Sequence, residues 1–230
     1  MAHRASQLAA CCAILLVLVT LAWADFESAM DAYVRGDYAT ALKEFRKLAG
    51  QGVPAAQYQL GVMYDFGQGL PKDSKEALRW YRLAAGQGDT AAQFTLGFMY
   101  QEGQGVPQDY AEAVRWYRKA AEQGDDMAQV NLGHLYANGQ GVLQDSTEAI
   151  KWFRLAAEQG QPRALSSLGL LYGSGQGIKQ NLVLAYMWLS LAAAQGDMVA
   201  AKLLDLAAKE MTPSQVAEAK RLAREWKPKR

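Results

Sequence analysis

Trp80, Trp116, Trp152 and Trp188 lie 36 residues apart without a slip. The same step carries Gly61 to Gly97, Gly133 and Gly169, and Tyr64 to Tyr100, Tyr136 and Tyr172. It also carries Gly52 through Gly88, Gly124 and Gly160 to Gly196. A repeat of this length is one supersecondary unit that cannot bury its own apolar face. Neighbouring units must therefore stack to make a core.

Within the unit Val53 to Gly88, Pro54 suits the first turn of a helix, where its missing N–H costs nothing. Ala56, Leu60, Met63 and Tyr64 recur at helical spacing, so the first helix should run to about Phe66 and stop at Gly67-Gln68-Gly69. Asp73 then opens a second helix with Glu76 three residues on, the spacing of a capping box. The pair recurs as Asp109 with Glu112 and as Asp145 with Glu148, while Asn181 with Leu184 keeps only the cap. The second helix carries Ala77, Leu78, Trp80, Tyr81, Ala84 and Ala85 and should end at Gly86 or Gly88. Small Gly61 and Ala77 let the paired helices approach closely, and Leu60, Tyr64, Trp80 and Tyr81 fill the space around them.

These residues reach a family. Ala-x-x-x-Leu-Gly-x-x-Tyr, then Gly-x-Gly, then Asp-x-x-x-Ala-x-x-Trp-Tyr-x-x-Ala-Ala closing on Gly resembles the Sel1-like repeat, the longer-looped relative of the tetratricopeptide repeat. The pattern spans Ala56 to Gly88, Ala92 to Gly124, Ala128 to Gly160 and Ala164 to Gly196, departing at Asn181 and Leu189. The expected fold is all-α, an α/α superhelical solenoid of about six antiparallel helix pairs in one domain, residues 25–230. Regular units are expected at 53–88, 89–124, 125–160 and 161–196. A tighter tetratricopeptide-like cap should occupy 25–52 and closing helices 197–230.

The chain opens with Arg4, an apolar run from Leu8 to Ala22 broken only by Thr20, and a small-x-small motif at Ala22-Trp23-Ala24. That is the layout of a secretory signal peptide, residues 1–24, with cleavage after Ala24 and a periplasmic or secreted product. The run is shorter than the roughly 20 residues of a spanning helix, so no stable membrane span is expected after cleavage. Cys11 precedes the apolar core instead of following it, which argues against lipidation. Both cysteines, Cys11 and Cys12, fall in the removed segment, so packing alone must hold the mature chain.

Removing Arg4 leaves 23 bases against 23 acids, a balance that argues against nucleic-acid or anionic-membrane affinity. Arg79-Trp80-Tyr81-Arg82 and its repeats interleave base with aromatic. The periodicity puts those rings in the core, with the arginine stems running over it into water. Gly-Gln-Gly occurs four times, but a helix precedes it where a phosphate loop needs a strand. His134 is the sole histidine beyond residue 24 and replaces Val62, Phe98 and Leu170, so no metal site or cofactor is expected. Without clustered titratable groups or a nucleophile motif, a non-catalytic chain is expected.

The packing positions repeat while others on the first helices diverge, as positions facing a ligand can. The related tetratricopeptide solenoids line their concave surface with these helices. The resemblance thus implies a groove for a protein or peptide partner, here Tyr58, Val62, Asp65, Phe66, Phe94, Phe98, Glu102, His134 and Arg163. The alternative is that some of the apolar residues among these, Tyr58, Val62, Phe66, Phe94 and Phe98, pack against the adjacent repeat. The expected role is a protein–protein interaction scaffold in the bacterial envelope or outside the cell. The alternative is a peptidoglycan- or β-lactam-directed envelope enzyme or enzyme activator, since cysteine-rich relatives are linked to penicillin binding. An endoplasmic-reticulum adaptor ranks below both, because the chain has no retention signal or glycosylation sequon.

Overall fold

A computed structural model describes residues 23–229; most of the expected signal peptide, residues 1–22, and Arg230 lie outside the described residues. The described residues form twelve α-helices and no strand, in the α/α solenoid class. Helix α1 covers residues 23–34. It is followed by α2 (Tyr38–Gly50), α3 (Pro54–Phe66), α4 (Ser74–Gly86), α5 (Thr90–Glu102), α6 (Tyr110–Glu122) and α7 (Asp126–Asn138). The rest are α8 (Ser146–Glu158), α9 (Pro162–Ser174), α10 (Leu182–Ala194), α11 (Met198–Lys209) and α12 (Pro213–Glu225). The chain divides within α5, between Leu96 and Gly97, into two compact units.

Local chemistry sets the helix ends. Gly67, Gly139 and Gly175 close the first helices with φ of 69°, 66° and 67°, a left-handed conformation that glycine adopts without a Cβ clash. Second helices start at aspartate caps: Asp73 accepts from the backbone N–H of Lys75 and Glu76, and Asp109 and Asp145 do the same one and two repeats on. The reciprocal half of the expected capping box gives way to another bond. Glu76, Glu112 and Glu148 reach forward to Arg79, Arg115 and Lys151 at 3.3, 3.2 and 3.3 Å, because a cation one turn along the helix competes for the carboxylate. A complete capping box does form at α12, between Thr212 and Gln215.

In the first unit, Ala29, Ala32, Phe45, Leu48, Leu60 and Met63 make a core shared by α1, α2 and α3. Helices α3 and α4 pair over Gly61, where a Cβ would stand 2.7 Å from the Tyr81 ring. The second glycine of the loop, Gly69, lies against Tyr38 at the start of α2, and the Tyr33 hydroxyl donates to Gln68 at 2.7 Å.

The second unit repeats the scheme. Gly97, Gly133 and Gly169 face Tyr117, Phe153 and Leu189, each too close for a Cβ. Around them Val130, Leu165, Leu168, Leu189 and Trp188 are buried. Helix α10 is apolar on nearly every face because α9, α11 and α12 all pack on it. Ala200 of α11 takes the buried place of Ala164, one repeat on, whereas Asp205 stands where Gly169 stood. Helix α12 then covers α10: Trp226 meets Trp188 edge-on at 5.6 Å, and Lys229 pairs with Glu158 at 2.8 Å.

Two polar ladders accompany the rings. Gln57, Gln93 and Gln129 are buried, and each donates its amide to a carbonyl at the end of the preceding helix, Ala49, Ala85 and Ala121, at 3.1–3.2 Å. Those carbonyls lie past the last full helical bond, and each also accepts the N–H of the closing glycine, Gly52, Gly88 or Gly124, at 3.0–3.1 Å. The arginines expected to run into water also have partners: Arg118 donates to the Tyr136 hydroxyl and Arg154 to that of Tyr172 at 2.7 Å. A phenol oxygen one repeat on lies within reach of the guanidinium, and a charge-assisted bond there is worth more than hydration alone.

Candidate interaction face

The first helix of each repeat presents two kinds of position outside the core. In the first unit, Tyr58 on α3 is turned to its neighbours: its hydroxyl bonds the Thr95 side chain and its ring lies 5.6 Å from that of Tyr81. Burial accordingly pushes its phenol pKa up. Phe94, at the matching position of α5, is partly buried. Val62 and Asp65 are partly covered, and Phe66 at the end of α3 is exposed.

In the second unit the same division holds. Val130, the counterpart of Tyr58 and Phe94, is buried, and Ser166, one repeat further, bonds the Asp197 carboxylate ahead of α11. That series therefore serves repeat-to-repeat packing. The series of Val62 stays open: Phe98 is 38% exposed and Leu170 50%, with His134 between them in register. Glu102 and Arg163 are exposed at the carboxyl end of α5 and the amino end of α9.

His134 lines a cavity of about 300 Å³ with Phe153, Ser167, Leu170, Ser174 and Gln176. Its ring meets Phe153 edge-on at 4.9 Å. Burial, and secondarily the Arg163 charge, lower its pKa, so the neutral imidazole is favoured. A second cavity of about 220 Å³ adjoins it, sharing Leu170 and Ser174 and bounded by Leu189, Leu203, Leu206 and Glu210.

Ser167 Oγ lies 3.3 Å from His134 Nε2, a juxtaposition of residue types found in nucleophilic catalysis. The hydroxyl, however, donates to the Arg163 carbonyl at 2.9 Å, leaving it an acceptor toward the ring. A general base needs the opposite direction of transfer. Among the described residues there is no cluster of three metal-ligating side chains, and no helix is long and apolar enough to cross a membrane.

Two contributors escape the sequence reading. Leu206 on α11 is 56% exposed and sits 36 residues after Leu170, continuing the row into a helix that keeps the repeat's alanine and leucine but has lost its glycine and tyrosine. Ser167 joins His134 only through the stacking of α9 beside α7. The spacing Leu170 to Leu206 was the available signal, masked by Asp205 at the glycine position.

A Sel1 repeat model matches residues 54–89, 90–125, 126–161 and 162–197, one residue later in phase than the units read from the sequence. The crystal structure of c5321, a protective antigen of uropathogenic Escherichia coli with an SLR fold, is 40% identical with a TM-score of 0.70. The match covers 80% of this chain, which spans only 40% of that one. A Sel1 repeat protein of Oxalobacter formigenes is 34% identical with a TM-score of 0.75, covering 87% of this chain and 85% of the other. No curated protein sequence matches. Sel1 repeat proteins are in general scaffolds for protein–protein interaction. With four matched repeats and the paired-helix packing described above, the chain belongs to the Sel1 repeat family.

Proposed function

We propose that the protein is a non-catalytic scaffold of the bacterial envelope or extracellular space that holds a segment of a partner protein on the open row of its first helices. One observation carries this reading. The glycine, tyrosine and tryptophan positions keep their identity through the four matched repeats, while in the second unit the row Phe98, His134, Leu170 and Leu206 varies in chemistry and stays partly or largely uncovered. Apolar side chains left in water without a packing duty are what interaction surfaces are made of. The leader-like N-terminus supports export. The hydroxyl direction at Ser167 and the even charge of the mature chain favour recognition over turnover or nucleic-acid binding.

Site-specific photocrosslinkers at Phe98 and Leu170, compared with Leu83 and Leu155 on second helices, test the reading in intact cells. All four positions are at least 38% exposed. Adducts with one protein from the first pair and none from the second are expected. Equal labelling from both pairs would remove the case for this face. Turnover of β-lactam reporters or muropeptides by the purified protein would favour the enzymatic alternative.

A further inference from the structure

The two cavities of the second unit are one feature repeated. Adding 36 to the residues around His134 converts His134 to Leu170, Phe153 to Leu189, Ser167 to Leu203, Leu170 to Leu206 and Ser174 to Glu210. Each of those replacements lines the neighbouring cavity. The fold thus builds two equivalent recesses between successive first helices, and the sequence gives them different chemistry. The recess at His134 is lined by an imidazole, by Gln176 and by the Ser167 and Ser174 hydroxyls beside Phe153; both hydroxyls donate to their own helix, at Arg163 and Leu171, and face the recess as acceptors. The recess at Leu206 has mainly aliphatic walls, with the shared Ser174, a Gln180 whose amide already donates to the Gly173 carbonyl, and the Glu210 carboxylate.

From this difference we infer that the pair reads a protein segment with a neutral hydrogen-bonding side chain in the first recess, an aliphatic side chain in the second, and a lysine or arginine beside the aliphatic residue. The inference rests on the interaction-face reading above and names the partner's chemistry. Glu210 decides the charge. It is exposed at the edge of the apolar recess and forms no ion pair among the described residues. It also follows Lys209, the last residue of α11, where the helix dipole adds to the negative potential and the lysine charge opposes it. Neighbouring helices pack about 10 Å apart. That step matches about three residues of extended chain or about seven of helix.

A library of 12-residue peptides selected against the full chain tests the assignment, with affinities then measured on Leu206→Lys, Glu210→Lys and Phe98→Lys. All three positions are exposed, and thermal melts monitor folding. Enriched peptides carrying an aliphatic residue beside a base, with at least ten-fold weaker binding to Leu206→Lys and Glu210→Lys, are the expected result. A peptide with that base changed to glutamate should regain binding to Glu210→Lys. Peptides sensitive to Phe98→Lys but indifferent to the other two would overturn the paired-recess assignment and leave the interaction face standing. Enrichment of no peptide, or indifference to all three variants, would overturn both.

Discussion

His134 shows how one side chain in a repeat departs from its neighbours with a physical consequence. Val62, Phe98 and Leu170 occupy the same register without an ionisable group, so in this register the imidazole alone can titrate. Burial lowers its pKa first, and the Arg163 charge acts in the same direction. The unfolded chain, with an ordinary imidazole near pH 6.5, therefore takes up a proton before the folded one does. Stability should be full above that value and fall as the pH drops toward the folded pKa. Urea titrations at pH 7.5 and 5.5 should show a loss in the natural protein that His134→Leu reduces. An equal loss in both would place the pH response elsewhere. The buried glutamines teach a different lesson. Gln57, Gln93 and Gln129 recur at the repeat step as plainly as the tryptophans, yet their role was not legible in the sequence. Only stacking shows that each amide reaches the end of the helix before it. Leu165 takes that place in the fourth matched repeat as a buried apolar side chain.

Helix limits were the most legible elements, because glycine and aspartate mark them chemically. The expected stop at Phe66 and the aspartate caps at Asp73, Asp109 and Asp145 all appear at those residues. Partners between elements were less legible, since they depend on which surface a stacked neighbour presents. Tyr58 thus bonds Thr95, and the capping glutamates turn to Arg79, Arg115 and Lys151. The Gly-Gln-Gly turns combine both kinds of information. Their positive φ follows from the residue type, but at Gly69, Gly141 and Gly177 the second glycine also lies against the preceding repeat. At Gly141, φ is 71° and an added Cβ would overlap the Tyr110 carbonyl group. Gly160, with φ of 88°, has nothing within 4 Å of such a Cβ. Gly160→Ala should therefore cost only backbone strain, about 1 kcal/mol. Gly141→Ala should add a clash with rigid backbone and cost about 3 kcal/mol or more. Chemical denaturation of the two variants compares them directly, and similar midpoints would show that the loop yields without disturbing α6.

At the scale of the whole molecule, the proposed export would leave a chain without covalent staples. The exported chain would begin at Asp25, whose carboxylate pairs with Lys47 at 3.0 Å on α2. Cleavage after Ala24 removes Trp23, whose ring lies 6.0 Å from Phe26 and lines a cavity of about 490 Å³ with Val53 and Pro54. It would also remove both cysteines, leaving the ring-on-glycine contacts and the helix ladders to hold the stack. With bases and acids then equal in number, long-range attraction contributes little to finding a partner. Recognition falls instead to local shape and to single charges such as Glu210. Intact-mass measurement on protein from the envelope or medium fraction should give a species starting at Asp25, and its melting temperature should not change with added reductant. A species retaining Met1, or one confined to the cytosol, would refute export. It would leave the paired-helix fold untouched, because the packed cores of both units lie entirely after Ala24.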